Sequence, residues 1–349
     1  MAFQLPFIGD IAPFKELGVK LLAAATIIGL TWVNYAGVMF GGMVQNIFTV
    51  GKVLGMLLLV AAVIILPGGG ALANLSMDSA VIQPRGLALA GALAAALQGA
   101  FWAYDGWNKI TYIAGEVRQP QRNVPRGLIT GMLAVTAIYL LMNAAYAWVL
   151  PVDEMAKSKL VAADVAERCF AGGGKAIALL VMLSTFGALN AIILASARVY
   201  FSMARRGMFP EVLGRAHPRF HTPGVALIVQ GGWSVLLLFS GTFDTLTDTL
   251  IFVAWLFYGA GALGVILLRR KEPDTPRPYR VPGYPWLPAI FVVFSVIFVA
   301  LTVWNDVSAY LAARAAGQPA MINAAFGLAL VLAGTPIYFH QARRKAKAS

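Results

Sequence analysis

The residues best placed to do chemistry lie together in one apolar stretch, 86–114, where Phe101-Trp102-Ala103-Tyr104 runs into Asp105-Gly106-Trp107-Asn108-Lys109. An aspartate, an asparagine and a lysine inside hydrocarbon are costly unless they face protein or water. Gly106 between them permits the backbone to leave helical geometry. Irregular backbone is tolerated at membrane depth only where it lines a cavity or is packed in protein. Its freed N–H and C=O groups can then hold a zwitterion or an ion. The segment reads as a discontinuous helix at a binding site. A continuous helix is the other reading, with Asp105 and Lys109, four apart, neutralising each other on one face and the aromatics as packing. Depth favours the break, because Asp105 sits far into the segment yet well before the charge at Arg118.

Lys52 is a second ionisable group within an apolar run. It lies about 10 Å along the helix from that run's nearer polar end. It either snorkels to the headgroups or serves as an internal ammonium in place of a metal cation. Enzymatic constellations are weak. The histidines are His217, His221 and His340, and Pro218 separates the first two. No HExxH, phosphate-binding loop or nucleophile elbow is present. The sequence therefore points to no metal, no cofactor and no enzyme. The single cysteine, Cys169, excludes an intramolecular disulfide and is expected to be free and buried.

These residues need elements to hold them, and composition says which. The chain has 349 residues, of which 59% are hydrophobic and 12% charged, with a mean hydropathy of +0.75. A soluble domain carries about 25% charged residues, so a soluble enzyme, a nucleic-acid binder and a disordered tail are all poor fits. An all-α polytopic membrane protein fits. Nine spans are expected, at 17–40, 45–67, 86–114, 126–150, 174–203, 223–241, 246–268, 286–304 and 320–339. Gly91, Ala95, Gly99 and Ala103 form a small-residue face on the third, open to close approach by another helix. The segment 67–84 reads as a turn-rich external loop, and 151–173 as a short surface helix. The net charge of +12 is mainly a topology signal. Alternate loops, from Arg118 to the basic tail 341–349, hold seventeen Lys and Arg against five on the other side. That side is expected to be cytoplasmic, with the C-terminus, and no nucleic-acid partner is expected. Lys15 and Lys20 flank the first span against this orientation, and residues 1–16 do not make a signal peptide. An odd span count with an external start is the expectation for a chain shortened at its N-terminus.

The run Trp102-Ala103-Tyr104-Asp105-Gly106-Trp107-Asn108 resembles the sixth helix of the L-amino-acid transporter family, within the amino acid–polyamine–organocation superfamily. Glu116-Val117, Pro120, Arg122-Asn123 and Pro125 resemble its following loop. Ser184-Thr185-Phe186-Gly187 with Asn190, then Arg198, Tyr200, Ala204-Arg205, Gly207 and Pro210, resemble its eighth helix and loop. Arg277 to Pro285 is similar to the loop before its eleventh helix, and Asn34-Tyr35, Gly37-Val38, Gln45 and Lys52 to its fourth and fifth helices.

The resemblance implies a twelve-helix fold whose first ten helices form two inverted repeats. The nine spans would be the fourth to twelfth, within one transmembrane domain over 1–340. In that assignment 17–67 ends the first repeat, 86–268 is the second, and 286–339 holds the last two helices. The broken first helix, which holds the substrate carboxylate in that family, would be absent. The resemblance further implies amino-acid transport in a cell membrane, as a sodium-independent exchanger or permease, impaired in a shortened chain. Trp102 would be an aromatic gate. The backbone of Ala103, Tyr104 and Asp105 would meet the substrate amino group, and Gly106 would permit the break. Trp107 and Asn108 would shape the pocket, and Glu116 and Asn190 would support it. Lys52 would occupy the place of a sodium ion. No cysteine precedes the first span, so no covalent heavy-chain partner is expected; the partners are an amino-acid substrate and the lipid bilayer. The competing reading is a non-transporting membrane interaction or regulatory subunit.

Overall fold

The computed structural model describes residues 3–5, 9–11, 16–37, 41–66, 70–75, 85–277, 279–318 and 321–348. A short antiparallel ribbon, β1 (Phe3–Leu5) with β2 (Gly9–Ile11), precedes the helices. The helices are α1 (Glu16–Tyr35), α2 (Gly41–Ile65), α3 (Leu87–Ala103), α4 (Pro120–Val149), α5 (Val152–Lys157) and α6 (Val161–Cys169). They continue with α7 (Gly173–Arg205), α8 (Gly224–Ser240), α9 (Phe243–Lys271), α10 (Trp286–Ala315) and α11 (Asn323–Ala348). Apart from the ribbon, the described chain is helical, as composition and periodicity predict. Seven of these helices are long and apolar enough to cross a bilayer, and α3 and α8 are shorter apolar helices of 17 residues. About 17 residues is the lower end of the spanning range, so all nine expected spans have a helix. The surface segment predicted over 151–173 is the pair α5 and α6. Of the loop 67–84, residues 67–69 and 76–84 lie outside the described residues.

Helix ends differ from the hydropathy boundaries for physical reasons. α4 begins at Pro120, earlier than the predicted 126, because a proline at the first position is pre-organised for the helix. α10 continues past the apolar stop at 304 because its polar residues find partners. Asn305 Nδ2 donates to the Gly91 carbonyl at 2.8 Å, and Asp306 Oδ2 accepts from the Ala324 N–H at 2.7 Å. The helix ends just before Gly317, whose φ of +69° supplies the left-handed turn. α11 runs unbroken into the basic tail.

Three apolar clusters join the helices. Leu59 and Val63 of α2 pack with Met142 and Val149 of α4 and Val165 of α6. Leu30 of α1 packs with Ile193 and Ala197 of α7 and with Leu227 of α8. Ile251 and Trp255 of α9 pack with Phe298 of α10, and Leu97 and Phe101 of α3 lie against them. The second cluster carries a polar seam. Fully buried Asn34 donates to the Leu30 carbonyl and to Asn190 Oδ1, each at 2.8 Å. Gln230 of α8 donates to the Ile193 carbonyl at 3.3 Å. At Gly231 a Cβ would stand 2.8 Å from Thr31 Oγ1, so only glycine lets α8 approach α1 so closely here. The α7–α8 loop closes beneath α1: His217 Nδ1 accepts the N–H groups of Arg219 and Phe220, and the Thr222 hydroxyl donates to the Tyr35 carbonyl at 2.8 Å.

Two outcomes follow for stability. Asn34→Ala removes the α1–α7 hydrogen bond and leaves Asn190 Oδ1 without it, at a cost of about 1 kcal/mol. A double-mutant cycle with Asn190→Ala, read by thermal unfolding, should return a coupling of that size. The second concerns Glu167, whose carboxylate accepts from the Gly174 N–H at 2.7 Å and the Gly172 N–H at 3.2 Å at the start of α7. The Gly174 bond, then the Gly172 bond, hold its carboxyl below the usual glutamate value, and nearby Lys175 acts in the same direction. A depressed value means the contribution is complete above about pH 4.3, where the unfolded carboxylate titrates, and is lost as pH falls through the lower folded value. Wild-type and Glu167→Gln melting temperatures should therefore differ at pH 7 and converge toward pH 3.

Candidate functional site

α3 presents its larger apolar residues, Leu97 and Phe101, to α9 and α10. Phe101 lies tilted against Trp255 with ring centroids 4.1 Å apart and meets Phe298 edge-on at 5.0 Å. Buried Gly91 and Ala94 complete that face. Of the predicted small-residue face, Gly91 is packed in this way, whereas Ala95, Gly99 and Ala103 are exposed. Gln98, one turn before the break, donates to Asp248 Oδ1 of α9 at 2.6 Å.

Regular helix ends at Ala103, and the break falls where the sequence predicts. The Tyr104 N–H still bonds the Ala100 carbonyl, but the Asp105 N–H bonds Trp102, a 3₁₀ spacing. Gly106 has a φ of +92°, in the left-handed region that L side chains avoid. A 3₁₀ segment, Lys109–Glu116, resumes after it. Between the two, the N–H groups of Gly106, Trp107 and Asn108 have no backbone acceptor among the described residues, and the carbonyls of Tyr104 and Asp105 have no backbone donor. The Ala103 carbonyl is taken by the Tyr139 hydroxyl of α4 at 2.9 Å.

Side chains brace this open main chain. The Tyr104 ring meets Tyr139 edge-on at 5.1 Å, and its hydroxyl reaches Thr136 Oγ1 at 3.3 Å. Trp107 lies edge-on to Tyr258 of α9 at 5.7 Å. Trp102, 39% exposed, meets Phe243 edge-on at 5.8 Å. Asp105 Oδ2 and Lys109 Nζ stand 3.4 Å apart. Break and ion pair thus coexist. The pairing that would have marked a continuous helix is made across a distorted turn.

Two cavities flank the break. One, about 360 Å³, lies between 103–107 and the Gly127, Gly131 and Tyr139 face of α4. The other, about 420 Å³, lies between Tyr104, Asp105 and Trp107 and the aromatic wall of Trp255, Tyr258 and Phe291. Ala103 and Gly106 line the first, and Asn108 sits at the end of the turn.

The remaining predicted residues lie elsewhere. Lys52 is half-buried, on the helical face of α2 that also carries Phe48, packed on Gly187, and Gly55, packed on Leu180. It faces α7 and lines neither cavity. Asn190 holds α7 to α1 through Asn34 and also lines neither. Glu116 ends the 3₁₀ segment, and its side chain lies outside the described residues. Cys169 is a free thiol, half-buried against the α2–α4–α6 cluster, and burial pushes its pKa up. Sequence reasoning missed Tyr139, Tyr258, Gln98 and Asp248. The available signal was polar or ionisable groups inside apolar spans, which face the bundle interior.

The amino acid permease family profile matches residues 3–332 of this chain. The large neutral amino acids transporter small subunit 2 of Mus musculus is 32% identical over 324 residues, covering 93% of this chain and 58% of that protein. The b(0,+)-type amino acid transporter 1 of Homo sapiens is 35% identical over 285 residues, 81% of this chain and 57% of its own. The cystine/glutamate transporter of Homo sapiens is 30% identical over 329 residues, 93% of this chain and 61% of its own. The chain spans about three fifths of the length of these relatives. With nine apolar helices among the described residues, one of them interrupted at Tyr104–Asn108, and a match over nearly all its residues, the chain belongs to the amino acid permease family of multi-pass membrane proteins.

Proposed function

We propose that this chain carries the substrate-contacting break of an amino-acid transporter that works by sodium-independent exchange. One observation carries the reading: the main chain at Tyr104–Asn108 leaves its hydrogen-bond ladder between two cavities inside an apolar bundle. Open backbone in such a place is costly unless it serves a ligand. A free amino acid brings both an ammonium, for the Tyr104 and Asp105 carbonyls, and a carboxylate. The substrate class follows from that pairing and from the transport functions named for the relatives. Trp102 gates the site, Trp107 and Asn108 shape it, and Lys52 provides a fixed positive charge where other transporters use a metal cation. The protein sits in the cell membrane with its basic C-terminus in the cytoplasm.

The first test is binding. A ligand at 100 times its Kd stabilises the folded state by about 2.7 kcal/mol, a shift of a few degrees in melting temperature. Screening the detergent-solubilised chain against single L-amino acids should give such a shift for a subset, and Gly106→Leu should remove it. A left-handed leucine is strained, so the readout is the ligand-induced shift and not the baseline stability. Absence of any shift, or its persistence in Gly106→Leu, overturns the reading. Lys52 is tested separately. In proteoliposomes preloaded with the identified amino acid, counterflow should be equal in sodium and choline buffers, and Lys52→Met should lower it at least tenfold without reducing membrane insertion. Unchanged counterflow in that variant removes Lys52 from the mechanism.

A further inference from the structure

The loop between α9 and α10 is built around guanidinium groups. From Arg269 to Arg280 it holds five basic side chains against two acidic ones. Arg277 folds the loop. Its guanidinium donates to the Pro273 carbonyl at 3.1 Å, the Thr275 carbonyl at 2.9 Å and the Leu268 carbonyl at 3.4 Å, and also to the Glu272 carbonyl. It thus ties the loop carbonyls of Glu272, Pro273 and Thr275 back to the end of α9. The Arg269 guanidinium carbon lies over the Tyr284 ring, 3.9 Å from its centroid. Stacking of this kind fixes the plane of a guanidinium and leaves its N–H edge for a ligand. Arg280 joins them around a cavity of about 400 Å³.

Among the described residues, none of these arginines forms an ion pair. Asp274 also lines the cavity, and the Glu272 carboxylate is engaged by the Thr275 hydroxyl at 3.2 Å. Three guanidiniums around one concavity repel one another unless an anion joins them, and planar forks of this type match phosphate oxygens. The surroundings say which phosphate. Leu267 and Leu268 of the last turn of α9 are exposed, as are Trp286 and Leu287 of the first turn of α10, Trp286 by 74%. Exposed tryptophan and leucine beside arginine, at the ends of two spanning helices, are what the headgroup boundary selects.

We propose that this cavity binds the phosphate of an anionic phospholipid headgroup, with Arg269 and Arg280 as its ligands and Arg277 as the residue that shapes the loop. The site is separate from the Tyr104–Asn108 break and does not depend on the transport reading.

Native mass spectrometry of the detergent-solubilised chain tests it, with phosphatidylglycerol and phosphatidylcholine added at equal concentration. One phosphatidylglycerol should be retained at least tenfold more than phosphatidylcholine. The double variant Arg269→Gln with Arg280→Gln should lose that preference, and Arg118→Gln with Arg122→Gln should keep it. Arg269→Lys with Arg280→Lys, which keeps the charge but loses the planar fork, gives an intermediate preference and guards against a folding defect in the glutamine pair. Equal retention of the two lipids, or a preference that survives the glutamine pair, overturns the proposal. Displacement of phosphatidylglycerol by equimolar inorganic phosphate also overturns it, because the site would then hold a free anion and not a lipid.

Discussion

Main-chain amides in hydrocarbon have no water to bond, and that constraint organises the bundle. A helix meets it by pairing each N–H with the carbonyl four residues back. Where α3 stops doing so, neighbours must replace the missing partners. Tyr139 does this for the Ala103 carbonyl, and the Tyr258 ring packs edge-on against Trp107. Two tyrosines from two different helices therefore bracket the break, one by a hydrogen bond and one by ring contact. Gly106 sets its sharpness, because its φ of +92° is open to glycine at little cost.

The helices around the break are held in two different ways. α1, α7 and α8 share directional hydrogen bonds from Asn34, Asn190 and Gln230, and a glycine contact at Gly231 brings α1 and α8 close. Interhelical bonds of this kind fix register as well as distance. α3 is held by aromatic surface, with Phe101 seated among Trp255, Phe294 and Phe298. Ring-on-ring contact is strong but tolerates sliding and tilting. Its polar ties before the break are two, Gly91 to Asn305 of α10 and Gln98 to Asp248 of α9, among the described residues. A hydrogen-bonded scaffold beside a helix packed on smooth aromatic surface can let one part move while the other keeps its geometry.

Hydropathy made the spans legible, and the polar run Asp105–Lys109 made the break legible, because both are local properties of the chain. Helix ends were less so. α10 outlasts its apolar run because Asn305 finds the Gly91 carbonyl, 214 residues away in sequence. The same limit applies to the site. Gly106 announces a turn in one dimension, but that Tyr139 and Tyr258 converge on that turn follows only once α4 and α9 are packed beside it. The small-residue stripe shows the converse. Gly91, Ala95, Gly99 and Ala103 repeat as an interface should, yet the larger apolar area of Leu97 and Phe101 decided which face α3 turned inward.

The Asp105–Lys109 pair explains how a charged segment can occupy this depth. A lone carboxylate there would be costly, and two like groups more so. Paired at 3.4 Å and partly exposed to the adjoining space, the two side chains present a dipole with no net charge. The pair closes across Gly106, where a Cβ would stand 3.2 Å from Lys109 Nζ, so the residue that permits the break also makes room for the ammonium. With the aspartate engaged in this way, the groups left without a partner at the break are main-chain N–H and C=O groups and not a lone charge. On the reading proposed above, such a site suits a zwitterion, whose own charges are balanced, better than a simple cation.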